Sequence, residues 1–253
     1  MKIKLAVALL GCSLLSACDK VENTQKGVRP AVAQSSDSVV KPKEVTPEAD
    51  PSVNLNSYVS LNSETGGLAL TYVLTSRSGE SLPDSELLSR LSPTYFQEQD
   101  SFKRKDVADT ELPKVKAKLR TYRTTEYFSL PFGGLAQAPL AMTNVTLGAY
   151  DLSLKGFPLS GYGASCWSGS LRNPQGVYLK TLPGSLPCVL PVADENTARV
   201  AEAARASGGL SMRGTIYLFV QGVEGGTVKT VPVHATIDLV DAFTKKVLST
   251  VNL

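Results

Sequence analysis

The chain has 253 residues, with 26 Lys and Arg against 23 Asp and Glu, and it contains a single histidine. Nucleic-acid binding depends on a surface where positive side chains are clustered, and a chain with nearly balanced charge gives no sign of one. No nucleic-acid partner is therefore expected. With one histidine, and with the folded part's two cysteines expected in a disulfide, little is left for a zinc site, which takes three or four nitrogen or sulfur ligands. We therefore expect neither a metal nor any other cofactor.

The first eighteen residues have the features of a secretory signal. Two lysines precede an apolar run over residues 5–10, which is too short to cross a bilayer as a permanent helix. The segment ends in Leu15-Ser16-Ala17-Cys18, which resembles the lipobox of bacterial lipoprotein precursors. That resemblance implies cleavage before Cys18 and attachment of lipid to its thiol. Residues 1–17 are then the signal peptide, and the membrane is a partner through the N-terminal lipid.

A second motif, Leu9-Leu10-Gly11-Cys12, also resembles a lipobox. Cleavage there leaves an apolar core of about seven residues, at the lower limit for a signal, so Cys18 is the preferred site. Asp19 follows it, and in lipoproteins of the enterobacterial kind an aspartate at this position implies retention at the inner membrane. We expect an envelope protein that is lipid-anchored and faces the periplasm, with the inner membrane preferred over the outer.

Residues 19–56 contain no aromatic side chain and are rich in Ser, Pro, Lys, Glu and Val. Such a segment cannot bury enough apolar surface to offset the entropy lost on ordering. We predict that residues 18–56 are the lipidated cysteine and a disordered tether, with a root-mean-square reach of roughly 30–35 Å. Residues 57–253 are then the folded periplasmic domain.

The first part of that domain is predicted to be helical and the next part to contain strands. Residues 67–74 are predicted to form either a short helix or a buried strand. Residues 82–91 are predicted to form a helix that ends before Pro93. A further helix is predicted to begin at Asp109, with Val115 and Leu119 on one face. Strands are predicted over residues 122–130, 144–154 and 176–182. Asp194 is expected to cap a helix over residues 195–206.

The C-terminus predicts a three-strand meander. Strands over residues 215–223, 227–240 and 247–251 are separated by turns at 224–226 and 241–246. One face of the first strand carries Ile216, Leu218 and Val220, and one face of the second carries Val231, Val233, Ala235, Ile237 and Leu239. We expect an α+β fold with an antiparallel sheet, this C-terminal meander and a few short helices. A β-sandwich is the alternative.

Cys12 is removed with the signal and Cys18 carries the lipid, so the remaining cysteines form an even pair, Cys166 and Cys188. The predicted compartment is oxidising, and nothing in the sequence resembles a Cys-x-x-Cys redox motif. Closing a loop of about twenty residues stabilises a fold by roughly 3 kcal/mol in the chain-entropy model. A structural disulfide is therefore predicted between these two residues.

We predict no catalytic residue. The single histidine, His234, lies opposite Val233 and Ala235 in the strand pattern, which places it on a surface or an edge. The folded part has no Gly-x-Ser-x-Gly elbow and no Ser-x-x-Lys motif. A cluster of aspartates, Asp100, Asp106 and Asp109, alternates with Lys and Arg, as is typical of a solvated mixed surface.

Trp167 is the only tryptophan and follows Cys166, with Tyr162 and Tyr178 near in sequence. One interpretation packs its ring over the disulfide in the core. The other makes the three aromatic side chains a recognition patch, because Trp and Tyr dominate binding hot spots.

Three segments resemble a family of uncharacterised bacterial envelope proteins of similar length: Ser92-Pro93-Thr94-Tyr95, residues 100–106 and Leu112-Pro113. The family has no assigned activity, so the resemblance implies no catalytic residues. Our functional hypothesis is a non-enzymatic binding or envelope-accessory domain with an envelope protein as partner. The alternative is a cell-wall glycan hydrolase or an inhibitor of one. A hydrolase needs a cleft with two carboxyl groups roughly 5–9 Å apart.

Overall fold

A computed structural model describes residues 47–134, 138–161, 163 and 165–253, which belong to one compact unit. The lipobox, Cys18 and Asp19 lie outside the described residues. The described chain contains five α-helices and ten β-strands. The helices are α1 (Leu68–Arg77), α2 (Asp84–Leu91), α3 (Pro93–Gln97), α4 (Ser101–Thr124) and α5 (Glu195–Ala206).

Two of the predicted helices are confirmed, and one ambiguity is resolved. Residues 67–74 belong to helix α1 rather than to a strand. Helix α2 ends before Pro93, as predicted. Helix α5 has the predicted bounds, and the Asp194 carboxylate caps it by accepting a hydrogen bond from the Thr197 backbone N–H at 2.8 Å.

The predicted start of helix α4 at Asp109 is wrong, because the helix begins at Ser101. The Asp100 carboxylate caps it and accepts hydrogen bonds from the backbone N–H groups of Phe102 and Lys103, at 2.9 and 3.0 Å. Pro113 lies inside the helix, where the sequence pattern had suggested a first turn. The helix continues to Thr124, so the strand predicted from residue 122 begins only at Tyr127.

The strands form two sheets. They are β1 (Val59–Ser60), β2 (Tyr127–Phe132), β3 (Thr146–Leu147), β4 (Gly156–Ser160), β5 (Gly169–Arg172), β6 (Tyr178–Thr181), β7 (Val189–Pro191), β8 (Leu210–Glu224), β9 (Thr227–Asp241) and β10 (Val247–Asn252). The seven-stranded sheet has the order β1-β2-β8-β9-β6-β5, with β10 also paired to β9; the three-stranded sheet has the order β3-β4-β7. The strand predicted over residues 144–154 is reduced to Thr146–Leu147.

The α+β class and the C-terminal meander are confirmed, and the sheet is mixed rather than antiparallel. Strands β8, β9 and β10 pair in antiparallel succession, but β1 runs parallel to β2 and β6 parallel to β9. One edge of β9 is divided between two partners, with β6 along Thr227–Thr230 and β10 further along the strand. Helices α1 and α5 pack on this sheet, so the sandwich alternative is wrong.

A β-bulge in β9 corrects the predicted core face of that strand. Tyr217 pairs with His234 and the next residue, Leu218, pairs with Pro232, so Val233 is the extra residue. After the bulge the buried positions are the predicted ones, beginning at Ala235. Before the bulge they move by one residue, and Val231 is only half-buried while Thr230 faces the core.

The segment before β1 lies on the outer face of the large sheet. The backbone N–H of Asp50 donates a hydrogen bond to the Tyr127 hydroxyl at 2.8 Å, and His234 Nε2 donates to the Pro51 carbonyl at 2.9 Å. The ring of Tyr58 packs edge-on against Tyr127 and Tyr217, with ring centroids 5.2 and 5.1 Å apart. His234 therefore lies on the outer face, as predicted, and helps to hold the N-terminal segment there.

Tyr58 offers a test of this attachment. Its hydroxyl is buried without a hydrogen-bond partner among the described residues, and burial raises its pKa to about 12. We expect Tyr58→Phe to leave the free energy of unfolding unchanged or raise it by up to about 1 kcal/mol, because it removes an unsatisfied polar group. Tyr127→Phe, which removes a bonded hydroxyl, should cost about 1 kcal/mol. Urea unfolding measures both, and a greater loss for Tyr58→Phe contradicts the packing.

Candidate functional site

An open groove crosses the helical layer between α1, α2, α3 and the turn that joins β5 to β6. Its volume is about 520 Å³, inside the range of roughly 300–1,000 Å³ that is usual for ligand pockets. The apolar residues that line it are Leu68, Leu74, Pro93, Phe96, Pro174 and Val177. We call it the α1–α3 groove.

The polar groups around the α1–α3 groove give it a neutral rim. Two threonines, a serine and two glutamines contribute uncharged hydrogen-bonding groups: Thr71, Thr75, Ser89, Gln97 and Gln175. The one charged lining residue, Arg90, is paired with Glu86 at 2.6 Å and approaches Glu80 at 3.8 Å. The groove therefore favours a ligand segment that is apolar and carries no net charge.

Phe96 stands at the mouth of the groove with 68% of its surface exposed. It belongs to the short helix α3, whose start is capped by the Ser92 hydroxyl accepting a hydrogen bond from the Tyr95 N–H at 3.3 Å. Tyr95 packs against the core on the other side, and the Arg104 guanidinium lies 5.7 Å from the centre of its ring. The cap at Ser92 and the packing of Tyr95 fix helix α3, and the position of Phe96 in this helix leaves its side chain exposed to solvent.

Asn173 fixes the opposite wall of the groove. Its side chain is buried, and Nδ2 donates to the Gly67 carbonyl at 3.2 Å and to Thr71 Oγ1 at 2.8 Å. Its Oδ1 accepts from the Val177 N–H at 2.8 Å. One amide thus joins the start of α1 to the β5–β6 turn. The sequence Asn-Pro-Gln-Gly predicts a turn at this point, but no local signal connects that turn to α1.

Asn173→Ala is expected to lower the free energy of unfolding by about 2–3 kcal/mol. The substitution removes three hydrogen bonds and takes the side-chain partner from the buried Thr71 hydroxyl and from the buried Val177 N–H. The matched control is Asn252→Ala, an exposed asparagine bonded to Thr236, which should cost less than about 0.5 kcal/mol. Chemical denaturation of both variants measures the difference, and equal losses contradict the proposed role of Asn173.

Two further depressions continue from the groove toward the β8–β9 turn. The first, of about 240 Å³, shares Leu74, Thr75 and Arg90 with the groove. The second, of about 690 Å³, contains Arg77 and Arg123. Both arginines lie in the last turns of α1 and α4, where a cation complements the partial negative charge of a helix C-terminus. Arg77 also donates to the Thr125 carbonyl, and burial lowers its pKa. Arg77 Nε is buried without a hydrogen-bond partner among the described residues.

Two carboxylates face a smaller pocket of about 140 Å³, which is below the usual size of a ligand site. They are Glu64, paired with Lys118 at 2.6 Å, and Glu111, paired with Lys114 at 2.9 Å. Between them lies Tyr72, whose pKa is raised by burial. Among the described residues, no group of three or more His, Cys, Asp or Glu side chains is arranged to hold a metal ion.

The predicted disulfide between Cys166 and Cys188 is present, with the two Cα atoms 5.7 Å apart. Trp167 is 1% exposed, its ring lies 5.6 Å from that of Phe132, and its Nε1 donates to the Pro187 carbonyl at 3.0 Å. The core interpretation of Trp167 therefore agrees with the structure, and this ring offers no surface to a partner.

Of the other two aromatic residues in the predicted recognition patch, the structure describes only Tyr178. Tyr178 is 44% exposed, and the Arg172 guanidinium lies 5.5 Å from the centre of its ring. Tyr162 lies outside the described residues. No local sequence signal marks Phe96 or Asn173 as groove residues.

No helix in the described part of the chain is long and apolar enough to cross a membrane. Compared with models of protein families, with curated proteins and with solved structures, the chain matches none of them.

Proposed function

We propose that the protein is a lipid-anchored, non-enzymatic periplasmic domain that binds another envelope protein in the α1–α3 groove. The observation that carries the proposal is the exposed ring of Phe96, held by α3 at the mouth of an apolar groove. Aromatic side chains of this kind are enriched in the buried centres of protein interfaces.

The shape and chemistry of the groove support a protein segment as the ligand. An apolar side chain of the partner fits between Leu68, Leu74 and Val177, while uncharged rim groups bond to its backbone. The pairing of Arg90 with Glu86 leaves little charge to select an anion. Recognition then depends on burying apolar area, which stabilises a complex by roughly 25 cal/mol per Å² before the costs of association.

The proposed periplasmic location rests on the lipobox, and the disulfide is consistent with it. Disulfides such as Cys166–Cys188 form and persist in oxidising compartments. Cys18→Ser should release the protein from membranes or leave an uncleaved precursor, measured by fractionation and by the mass of the chain. Unchanged membrane association of the processed variant opposes the proposed anchor.

A photo-crosslinking amino acid placed at Gln97, on the rim of the groove, tests binding in intact cells. We expect a discrete adduct with one envelope protein, and we expect Phe96→Asp to abolish it. The matched control is Phe102→Asp, because Phe102 is also an exposed phenylalanine but does not line the groove. The proposal fails if no adduct forms at Gln97, or if both substitutions weaken the adduct equally.

None of the described contacts favours the alternative of a glycan hydrolase. Three of the pockets are lined by two glutamates each: Glu64 with Glu111, Glu80 with Glu224, and Glu195 with Glu202. Each of these carboxylates is held in an ion pair with Lys or Arg. Purified protein incubated with peptidoglycan is expected to release no reducing sugar. Release that is abolished by Glu64→Gln would replace the binding proposal.

A further inference from the structure

Strands β1, β5 and β10 of the large sheet each have a neighbouring strand on one side only among the described residues. Strand β1 has two residues, and β5 has four and ends at Arg172. Short strands and charged residues are common means of preventing a sheet edge from pairing with another chain. Strand β10 is six residues long and contains no charged residue, proline or glycine; its one irregularity is an extra residue near its start, Leu248. The edge of β10 is therefore the least protected of the three.

The pairing of β10 with β9 shows which backbone groups of β10 point outward. Ala235 and Leu253 exchange both backbone hydrogen bonds, at 3.1 and 2.8 Å. Along an antiparallel pair, such residues alternate with residues whose N–H and C=O groups point away from the neighbouring strand. Asn252 and Thr250, one and three residues before Leu253, therefore direct their N–H and C=O groups away from β9. Both residues are exposed, so this edge is accessible to another strand.

The charged side chains that neighbour this edge are paired with one another. The Thr250 hydroxyl donates to Asp238 Oδ1 at 2.7 Å, and the Asp238 carboxylate also pairs with Arg213 at 3.3 Å. Helix α5 packs against β10, and its two glutamates are paired with its two arginines. The edge therefore presents backbone donors and acceptors without a net charge, and it fits a strand that is itself uncharged.

We propose that β10 pairs with β10 of a second copy of the chain, antiparallel and about a two-fold axis at Val251. The uncharged strand that the edge requires is supplied by β10 itself, and an interface of this symmetry uses the same surface of both copies. Thr250 of each copy then lies opposite Asn252 of the other, and the two residues exchange backbone N–H···O=C hydrogen bonds. This register leaves the extra residue, Leu248, outside the new pairing.

The lysines that precede β10 favour the antiparallel orientation. Lys245 and Lys246 lie before the strand, in a turn that also contains Asp241. In a parallel pairing the lysines of both copies would lie side by side, and like charges that face each other are destabilising. In the antiparallel pairing they lie at opposite ends of the interface, with the two Lys246 residues roughly 33 Å apart. That separation exceeds the screening length of roughly 8 Å at physiological salt.

Apolar side chains beside the edge add to the contact. Val247, in β10, is 38% exposed, and Val200, on α5, is 56% exposed. Because the two-fold axis is perpendicular to the sheet, the α5 helices of both copies lie on the same face of the extended sheet. A pair of six-residue strands buries less than the roughly 800 Å² per partner of a standard interface. The dimer is therefore expected to form reversibly, with a population that depends on protein concentration.

The dimer leaves the α1–α3 groove open in each copy. The depression that continues from the groove reaches the turn between β8 and β9, whereas β10 pairs with β9 over Thr236–Val240, at the other end of that strand. Dimerisation is therefore independent of what the groove binds. Phe96→Asp, which is expected to abolish the crosslink at the groove, should leave the dimer unchanged.

Sedimentation equilibrium of the compact unit Val45–Leu253, which has its own core, tests the proposal. We expect a monomer–dimer equilibrium. Thr250→Pro should raise the dissociation constant at least about tenfold, because proline lacks the outward N–H while the pairing with β9 does not use that group. The matched control is Thr250→Val, which also loses the side-chain hydrogen bond to Asp238 but keeps the backbone N–H, and it should dimerise as the native unit does.

Charged variants test whether the partner is a second copy. Thr250→Lys with Asn252→Lys should be monomeric, and so should Thr250→Asp with Asn252→Asp, because like charges then face each other across the interface. An equal mixture of the two variants should associate again. The proposal is overturned if the native unit stays monomeric up to about 1 mM, if Thr250→Pro dimerises normally, or if the mixture does not associate. Unchanged melting temperatures show that the variants remain folded.

Discussion

Trp167→Ala is expected to lower the free energy of unfolding by about 4 kcal/mol, the usual range for truncating a buried large aromatic side chain being roughly 3–5 kcal/mol. The ring is almost fully buried and packs against Phe132, so its removal leaves a large cavity. It also leaves the Pro187 carbonyl without its hydrogen bond. Urea unfolding monitored by circular dichroism measures the loss, since the variant retains no tryptophan fluorescence.

Two variants accompany this test. Trp167→Phe keeps part of the ring volume and loses the indole N–H, so it should cost about half as much as the alanine variant. Tyr178→Ala removes an exposed ring and should cost less than about 1 kcal/mol. If Trp167→Ala leaves stability unchanged but abolishes binding of a partner, the core interpretation is contradicted and the recognition patch gains support.

The elements that were predicted correctly are those whose signals are local. Helix α5 has an aspartate cap and a glycine pair beyond its end, and the C-terminal meander has short turns between long alternating strands. The disulfide follows from counting cysteines once Cys12 is assigned to the cleaved signal and Cys18 to the lipid. In each case a few neighbouring residues, or a simple count, determine the outcome.

The wrong predictions concern features whose position depends on contacts between distant parts of the chain. Proline is favoured in the first turn of a helix, so the sequence predicts a helix start near Pro113. Asp100 provides an earlier cap, and α4 continues through the proline. The parallel pairing of β6 with β9 joins segments about fifty residues apart, and alternation within a strand carries no information on its partner. The bulge at Val233 moves the core face by one residue without a change in composition.

The candidate sites show the same division. Asn173 could be assigned to a turn from its neighbours, but its bonds to Gly67 and Thr71 cross about a hundred residues. Phe96 has no distinguishing pattern, since only the packing of Tyr95 fixes which aromatic ring of α3 faces solvent.

Replacing both Cys166 and Cys188 with serine is expected to lower the free energy of unfolding by about 3 kcal/mol. The bond links residues separated by 22 positions, and removing it restores conformational entropy to the unfolded chain. The closed loop contains strands β5 and β6 and the turn that Asn173 fixes. Opening it should therefore loosen one wall of the α1–α3 groove as well as destabilise the fold.

Reducing conditions provide the control for this prediction. With a thiol reductant present, the native chain should unfold at nearly the same urea concentration as the double serine variant, because both then lack the cross-link. Without reductant, the native chain should be more stable by the full difference. A difference that persists under reduction would assign the loss to the packing of the sulfur atoms instead. Equal stability in oxidising buffer would show that the loop is already constrained by Trp167 and the pairing of β6 with β9.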